Sequence, residues 1–160
     1  MKHRIDIVEA KPEDAAAIAE IHLTARQDAM PYLRRPHSDD STRAWFAKVV
    51  GDRPRCWWVA RCEGQIVGYM RAIGDELDHL YVQADWQRRS VGLALLNKAK
   101  SLSPARLALW TFQRNTNARA FYEAQGFRIA GCTDGENEED EPDVRYVWDA
   151  AHGAPTRTSQ

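Results

Sequence analysis

A chain of 160 residues is long enough for one domain with a real core and short for two. Hydrophobic residues make up 44% and charged residues 28%, and the formal net charge is -1, which excludes a disordered chain and a bulk polycation seeking nucleic acid. Three cysteines without a Cys-x-x-Cys pair exclude a disulfide framework, and no stretch approaches the roughly 20 apolar residues of a membrane span, so a reducing, cytoplasmic setting is expected.

Residues 4–9 alternate polar and apolar, which predicts a strand rather than a signal peptide. Pro12, Glu13 and Asp14 then open a helix whose apolar face is Ile18, Ile21 and Ala25, running to about residue 27. After a polar loop over 34–40, a second helix starts near 39–41 and turns Trp45, Phe46, Val49 and Val50 inward. Residues 56–62 and 65–73 read as two strands joined by Glu63-Gly64, a hairpin pair. Period two puts Trp57 and Trp58 on opposite faces, one of them outward and available to a homodimer contact.

Residues 77–82 form a further strand, 83–89 a polar and basic turn, and Val91, Leu95, Ala99 and Leu102 the stripe of a helix that Pro104 stops. A strand follows over 106–112. Asn115 or Asn117 caps the next helix, whose inner residues are Ala118, Phe121, Tyr122 and Gln125 and which Gly126 ends. Two last strands, 127–133 and 144–148, flank the acidic stretch 134–143. Residues 1–150 read as one domain and 151–160 as a tail. The order predicts an α/β fold with a mixed sheet of about seven strands and about four helices.

The strand, basic turn and helix over 77–102 have one chemical consequence. Free N–H groups and the positive end of the helix dipole point at whatever sits in the turn, and Arg88 and Arg89 add full charges there. That is a phosphate-binding elbow. The string Gln87-Arg88-Arg89-Ser90-Val91-Gly92 resembles the Gln/Arg-x-x-Gly-x-Gly/Ala signature of the GNAT superfamily of acyl-CoA-dependent N-acetyltransferases. The string from Asn115 to Phe127 is similar to that family's second signature, Asn-x-x-Ala-x-x-Phe-Tyr-x-x-x-Gly-Phe.

The resemblance implies a single-domain GNAT-like fold with a splayed central strand pair and an acetyl-CoA co-substrate in the gap. It implies that Gln87, Arg88, Arg89, Ser90, Val91, Gly92, Leu93 and Ala94 hold the pyrophosphate and that the backbone of Leu80, Tyr81 and Val82 follows the pantetheine arm. It also places Asn115, Ala118, Phe121 and Tyr122 at the cofactor, although Asn115 reads equally well as a helix cap. Ser90 stands where the signature has its first glycine; serine suits that place if its φ is negative.

The implied reaction is direct attack of a primary amine on the thioester, with no acyl-enzyme. A phenol, ordinarily with a pKa of about 10, can protonate a leaving thiolate, and Tyr122 is placed for that. The family's usual glutamate base falls on Glu76, with Asp78 and His79 as alternatives; period two puts Glu76 and Asp78 on one face and His79 on the other unless a bulge shifts the phase. The acidic stretch reads either as a solvated loop or as a rim over the acceptor. His3, His22, His37, His79 and His152 lack metal-ligand spacing, so no metal is expected. The acceptor is a small-molecule or peptide amine, with no nucleic acid and no membrane involved. Two rivals share these residues: a non-catalytic acyl-CoA-binding module, and a protein lysine or N-terminal acetyltransferase.

Overall fold

The computed structural model describes residues 4–52 and 55–153. Its elements are β1 (Asp6–Glu9), a 3-10 turn (Pro12–Asp14), α1 (Ala15–Ala29), α2 (Asp39–Asp52), β2 (Trp57–Cys62), β3 (Gln65–Ile73) and β4 (Glu76–Val82). A second 3-10 turn (Ala84–Trp86), α3 (Val91–Leu102), β5 (Arg106–Phe112), α4 (Thr116–Ala124), β6 (Arg128–Cys132), β7 (Asp143–Asp149) and a short α5 (Ala150–Gly153) follow. Seven strands form one sheet in the order β1-β2-β3-β4-β5-β7-β6. Every neighbouring pair is antiparallel except β4 and β5. No helix among the described residues is long and apolar enough to cross a membrane.

Local chemistry accounts for the corners. Pro12 starts a 3-10 turn rather than α1 itself, and the Asp14 carboxylate accepts the Lys11 backbone N–H at 2.8 Å. Glu63 and Gly64 both have positive φ, 53° and 81°, as the tight hairpin between β2 and β3 requires. Gly126, at φ 92°, turns the chain out of α4.

Helices cover both faces of the sheet. Trp57, Val59 and Tyr69 pack with Ile18 and Ala19 of α1 and Phe46 and Val50 of α2. Trp58, Ala60 and Met70 pack on the other face with Leu95, Leu96 and Ala99 of α3 and Tyr122 of α4. The two tryptophans do point to opposite faces, but both are buried, at 0% and 9% exposure, so neither offers the expected outward dimer contact. Alternation alone cannot tell a solvated face from one covered by a helix.

Two features of the sheet create space. First, β4 and β5 share a single register pair, Glu76 with Ala108. Beyond it β4 stays on β3 up to Val82 opposite Gly68, and β5 stays on β7 up to Phe112 opposite Asp143, so a slot opens between them. Second, β4 carries a bulge: Arg71 faces His79 and Ala72 faces Leu77, leaving Asp78 as the extra residue. The bulge turns Asp78 and His79 to the same face, correcting the plain period-two assignment. The Asp78 carboxylate accepts from Arg71 at 2.7 Å, while the His79 ring lies among Trp45, Phe46 and Trp57. Gly68 lets α3 sit close on β3: a Cβ there would stand 3.1 Å from both the Tyr81 carbonyl oxygen and Val91 Cγ1.

Candidate active site

Three parts meet around the splayed strands. The elbow at the start of α3 is the first. Arg88, Arg89 and Ser90 are all exposed, and the Ser90 side chain makes no capping hydrogen bond to the helix. The Arg89 guanidinium lies 5.1 Å from the centre of the Trp86 ring, which steadies it beside the turn. Gln87 donates to the Val82 carbonyl at 3.4 Å, tying the turn to the end of β4. A Cβ on Gly92 would meet Phe121 at 3.6 Å and Val82 at 3.8 Å, ordinary contact, so the signature's choice of glycine or alanine there has a steric basis. Leu93 and Ala94 continue the first turn, half-buried behind it.

Ser90 has φ 67° and ψ 10°, in the left-handed region, and Arg88 has φ 62°. The condition of a negative φ at Ser90 is therefore not met: the backbone has a conformation that favours glycine although the residue is serine. That conformation costs a non-glycine residue about 1 kcal/mol. Ser90→Gly is accordingly expected to bind acetyl-CoA as well as the wild type or slightly better by calorimetry. A large loss of affinity would make the Ser90 hydroxyl a ligand in its own right.

The slot between β4 and β5 is the second part, a cleft of about 80 Å3 lined by Leu80, Tyr81, Leu109, Thr111, Asn115, Ala118 and Tyr122 among others. It brings together residues from both expected groups, 80–82 and 115–122. Asn115 caps α4, accepting the Ala118 N–H at 3.3 Å, and its amide nitrogen reaches Met30 Sδ at 3.6 Å. Tyr122 is buried at 7% exposure, and burial, then the nearby Tyr81, raises its pKa above the ordinary phenol value. It is a protonated donor at neutral pH.

The third part is a cavity of about 490 Å3 on the α1 and α2 side of the sheet. His22, Arg26, Trp45, Phe46 and His79 form its walls, and Met30 lines both cavity and slot. Trp45, expected in the core, is a cavity wall with 41% exposure. The acidic loop, residues 134–142, lies across the cavity rather than free in solvent. Glu139 pairs with Arg26 at 3.0 Å, Asp140 with Arg34 at 2.5 Å and Glu138 with His37 at 3.2 Å. At its far end Arg114 grips the buried Glu141 through two bonds of 2.7 and 2.8 Å, holding that carboxyl below its usual pKa.

The sequence model of the Acetyltransferase (GNAT) family matches residues 21–127, from α1 through the elbow and slot to the end of α4. The chain belongs to this family. Among curated relatives of the GNAT protein, "Probable N-acetyltransferase Rv2775" of Mycobacterium tuberculosis is 30% identical over 145 residues, covering 81% of this chain and 83% of its own. "Peptidyl-lysine N-acetyltransferase YjaB" of Escherichia coli is 35% identical over 120 residues, 74% and 77% of the two chains. The fold matches that of the PaiA N-acetyltransferase of Thermoplasma acidophilum, solved in complex with coenzyme A, with a TM-score of 0.68, 15% identity, and coverage of 91% and 99%.

The GNAT protein does not bring all three base candidates to the cavity. Glu76 stands at the closed end of the slot, where β4 still pairs with β5, and Arg145 holds its carboxylate in a two-bond ion pair. Asp78 is half-exposed on Arg71. His79 reaches the cavity wall. Sequence reasoning passed over His22, Arg26 and Tyr69. A signal existed for the first two: Ile18, His22 and Arg26 recur at spacing four, so two polar residues share the inner stripe of α1. Tyr69 carried no such signal. Among the described residues no group of His, Cys, Asp and Glu stands together as a metal site.

Proposed function

We propose that this GNAT protein transfers an acetyl group from acetyl-CoA to a primary amine, by direct attack in a ternary complex. One observation carries the reading. The slot between β4 and β5 opens beyond Glu76 on the strand that leads into the arginine-flanked start of α3, it shares Met30 with a cavity of about 490 Å3, and Tyr122 lies on its wall. The pyrophosphate fits the elbow, where N–H groups of residues 89–93 and the two arginines supply positive charge. The pantetheine arm, with its peptide-like amides, fits the β4 backbone over 80–82, which has no partner strand on that side beyond Glu76. The amine enters by the cavity, and Met30 marks where the two spaces join.

The amine nitrogen bonds to the acetyl carbon, the carbon–sulfur bond breaks, and the thiolate takes the Tyr122 phenolic proton; the proton that the nitrogen sheds on becoming an amide, passed on by water, restores the Tyr122 phenol. Orientation of two bound reactants supplies much of the rate. Glu76 is not used in this reading, because Arg145 occupies its carboxylate. A lysine side chain of a peptide is favoured over a free small amine, since the E. coli relative is named a peptidyl-lysine N-acetyltransferase. The test is thiol release from acetyl-CoA over a panel of lysine peptides, amino-terminal peptides and small amines. Amine-dependent release, fastest with lysine peptides, is expected. Release with small amines alone would move the acceptor class, and release with none would leave an acyl-CoA-binding module.

A further inference from the structure

We infer that His22, Tyr69, His79 and Asp78 form a proton relay that takes the acceptor amine's proton at Nε2 of His22 and places the resulting charge beside Asp78. The inference rests on reading the 490 Å3 cavity as the acceptor site.

The four groups form one chain. His22 Nδ1 lies 2.9 Å from the Tyr69 hydroxyl, and that same hydroxyl lies 2.9 Å from His79 Nδ1. His79 Nε2 lies 3.5 Å from an Asp78 carboxylate oxygen. Tyr69 is fully buried, whereas both imidazoles line the cavity and the Asp78 side chain is 46% exposed. The chain therefore starts in the cavity, passes through the core and ends at the surface.

The direction of the chain follows from counting hydrogens. A phenol carries one proton and faces two ring nitrogens, so one imidazole accepts from it and the other donates to it. Asp78 decides which. At 3.5 Å the Asp78 carboxylate is a charge neighbour of His79 Nε2 rather than a hydrogen-bond partner, and its negative charge favours the tautomer with the proton on Nε2, which presents a bare Nδ1 to the Tyr69 O–H. The Tyr69 oxygen then accepts Nδ1–H of His22, and Nε2 of His22 is left with a lone pair. Among the described residues that nitrogen has no hydrogen-bond partner.

The surroundings keep both rings neutral at rest, so the chain passes a proton on rather than storing it. Burial, then His79 and Arg26, pushes His22 down to about 3; burial, then Arg71 and Arg26, does the same to His79. Burial raises Tyr69 well above an ordinary phenol. The charged and titratable groups around the two rings are Arg26 from α1, Arg71 from β3, Asp78 and Tyr81 from β4, and Glu139 on Arg26 from the acidic loop.

In the step itself the ammonium N–H bond breaks and an N–H bond forms at His22 Nε2. The proton on His22 Nδ1 passes to the Tyr69 oxygen, and the original Tyr69 proton passes to His79 Nδ1. One positive charge leaves the amine and appears on His79, against the Asp78 carboxylate. After the product leaves, the hops reverse and water entering the cavity takes the proton.

Two measurements on the full chain test the relay. Histidine side-chain nitrogen NMR is expected to show His22 as the Nδ1–H tautomer and His79 as the Nε2–H tautomer, both neutral from about pH 5 to 8. An Nε2–H tautomer at His22 overturns the relay whatever the enzyme's activity. The second measurement compares matched amines with pKa values from about 10 to about 8. His22→Gln and Tyr69→Phe are expected to lower kcat at least tenfold with the most basic amine and much less with the least basic, at unchanged acetyl-CoA affinity. Equal losses across the series overturn it, because a packing role cannot sense the acceptor's pKa. If Tyr69→Phe does not fold, His22→Gln alone decides. A wild type that releases no thiol with any amine overturns the transferase reading, while the tautomers still judge the chain.

Discussion

Tyr122→Phe is expected to lower kcat for acetyl transfer by about 10²-fold or more and to leave the acetyl-CoA dissociation constant within about twofold. The ring is held by aromatic neighbours on three sides: Phe121 at 5.2 Å, Phe127 at 5.4 Å and Tyr146 at 6.4 Å between centroids. Phenylalanine keeps these contacts, so the fold and the slot survive. What goes is the O–H. Burial keeps that group protonated, since it raises the phenol's pKa. The same burial makes the departing thiolate more basic, so donor and acceptor stay matched inside the slot. Steady-state kinetics beside calorimetry separate the outcomes. Unchanged turnover removes Tyr122 from the reaction, and weaker affinity at unchanged turnover makes its hydroxyl a binding group.

Replacing Arg88 and Arg89 together by alanine is expected to weaken acetyl-CoA binding by about ten- to a hundredfold at low salt. A charge-assisted hydrogen bond contributes about 1.5–3 kcal/mol, and both side chains are exposed, which discounts them towards the lower end. The N–H groups at the start of α3 remain, so binding is weakened rather than abolished. The loss should shrink as salt rises, because exposed charges are screened within about 10 Å at 0.1 M. Calorimetry across a salt series is the measurement. A loss independent of salt would mean that the elbow has changed shape, a real alternative given the positive φ of Arg88 and Ser90.

The elbow illustrates why some of the site was legible. Hydrophobic period, a polar break and a second period locate strand, turn and helix, and the two signatures lie on consecutive parts of the chain. Asn115 kept both of its readings, as cap of α4 and as part of the slot wall. Ser90 was harder. Its side chain is plain in the sequence, but its left-handed φ of 67° is not, because a backbone angle is set by the path of the whole turn.

The sequence by itself determined the element order, the family, the elbow and the tyrosine on α4, because each is written in residues close together along the chain. Only the tertiary structure decided what the strand before the elbow does. One extra residue in β4 leaves no mark on local composition, yet it turns His79 to the face of Asp78 and away from the phase that alternation predicts. It also decided the fate of Glu76, whose partner Arg145 is 69 residues away. The cavity likewise exists only because α1, α2 and the acidic loop converge on that face. Contacts of this kind join residues far apart in the chain, and periodicity, which is a property of neighbours, carries no information about them.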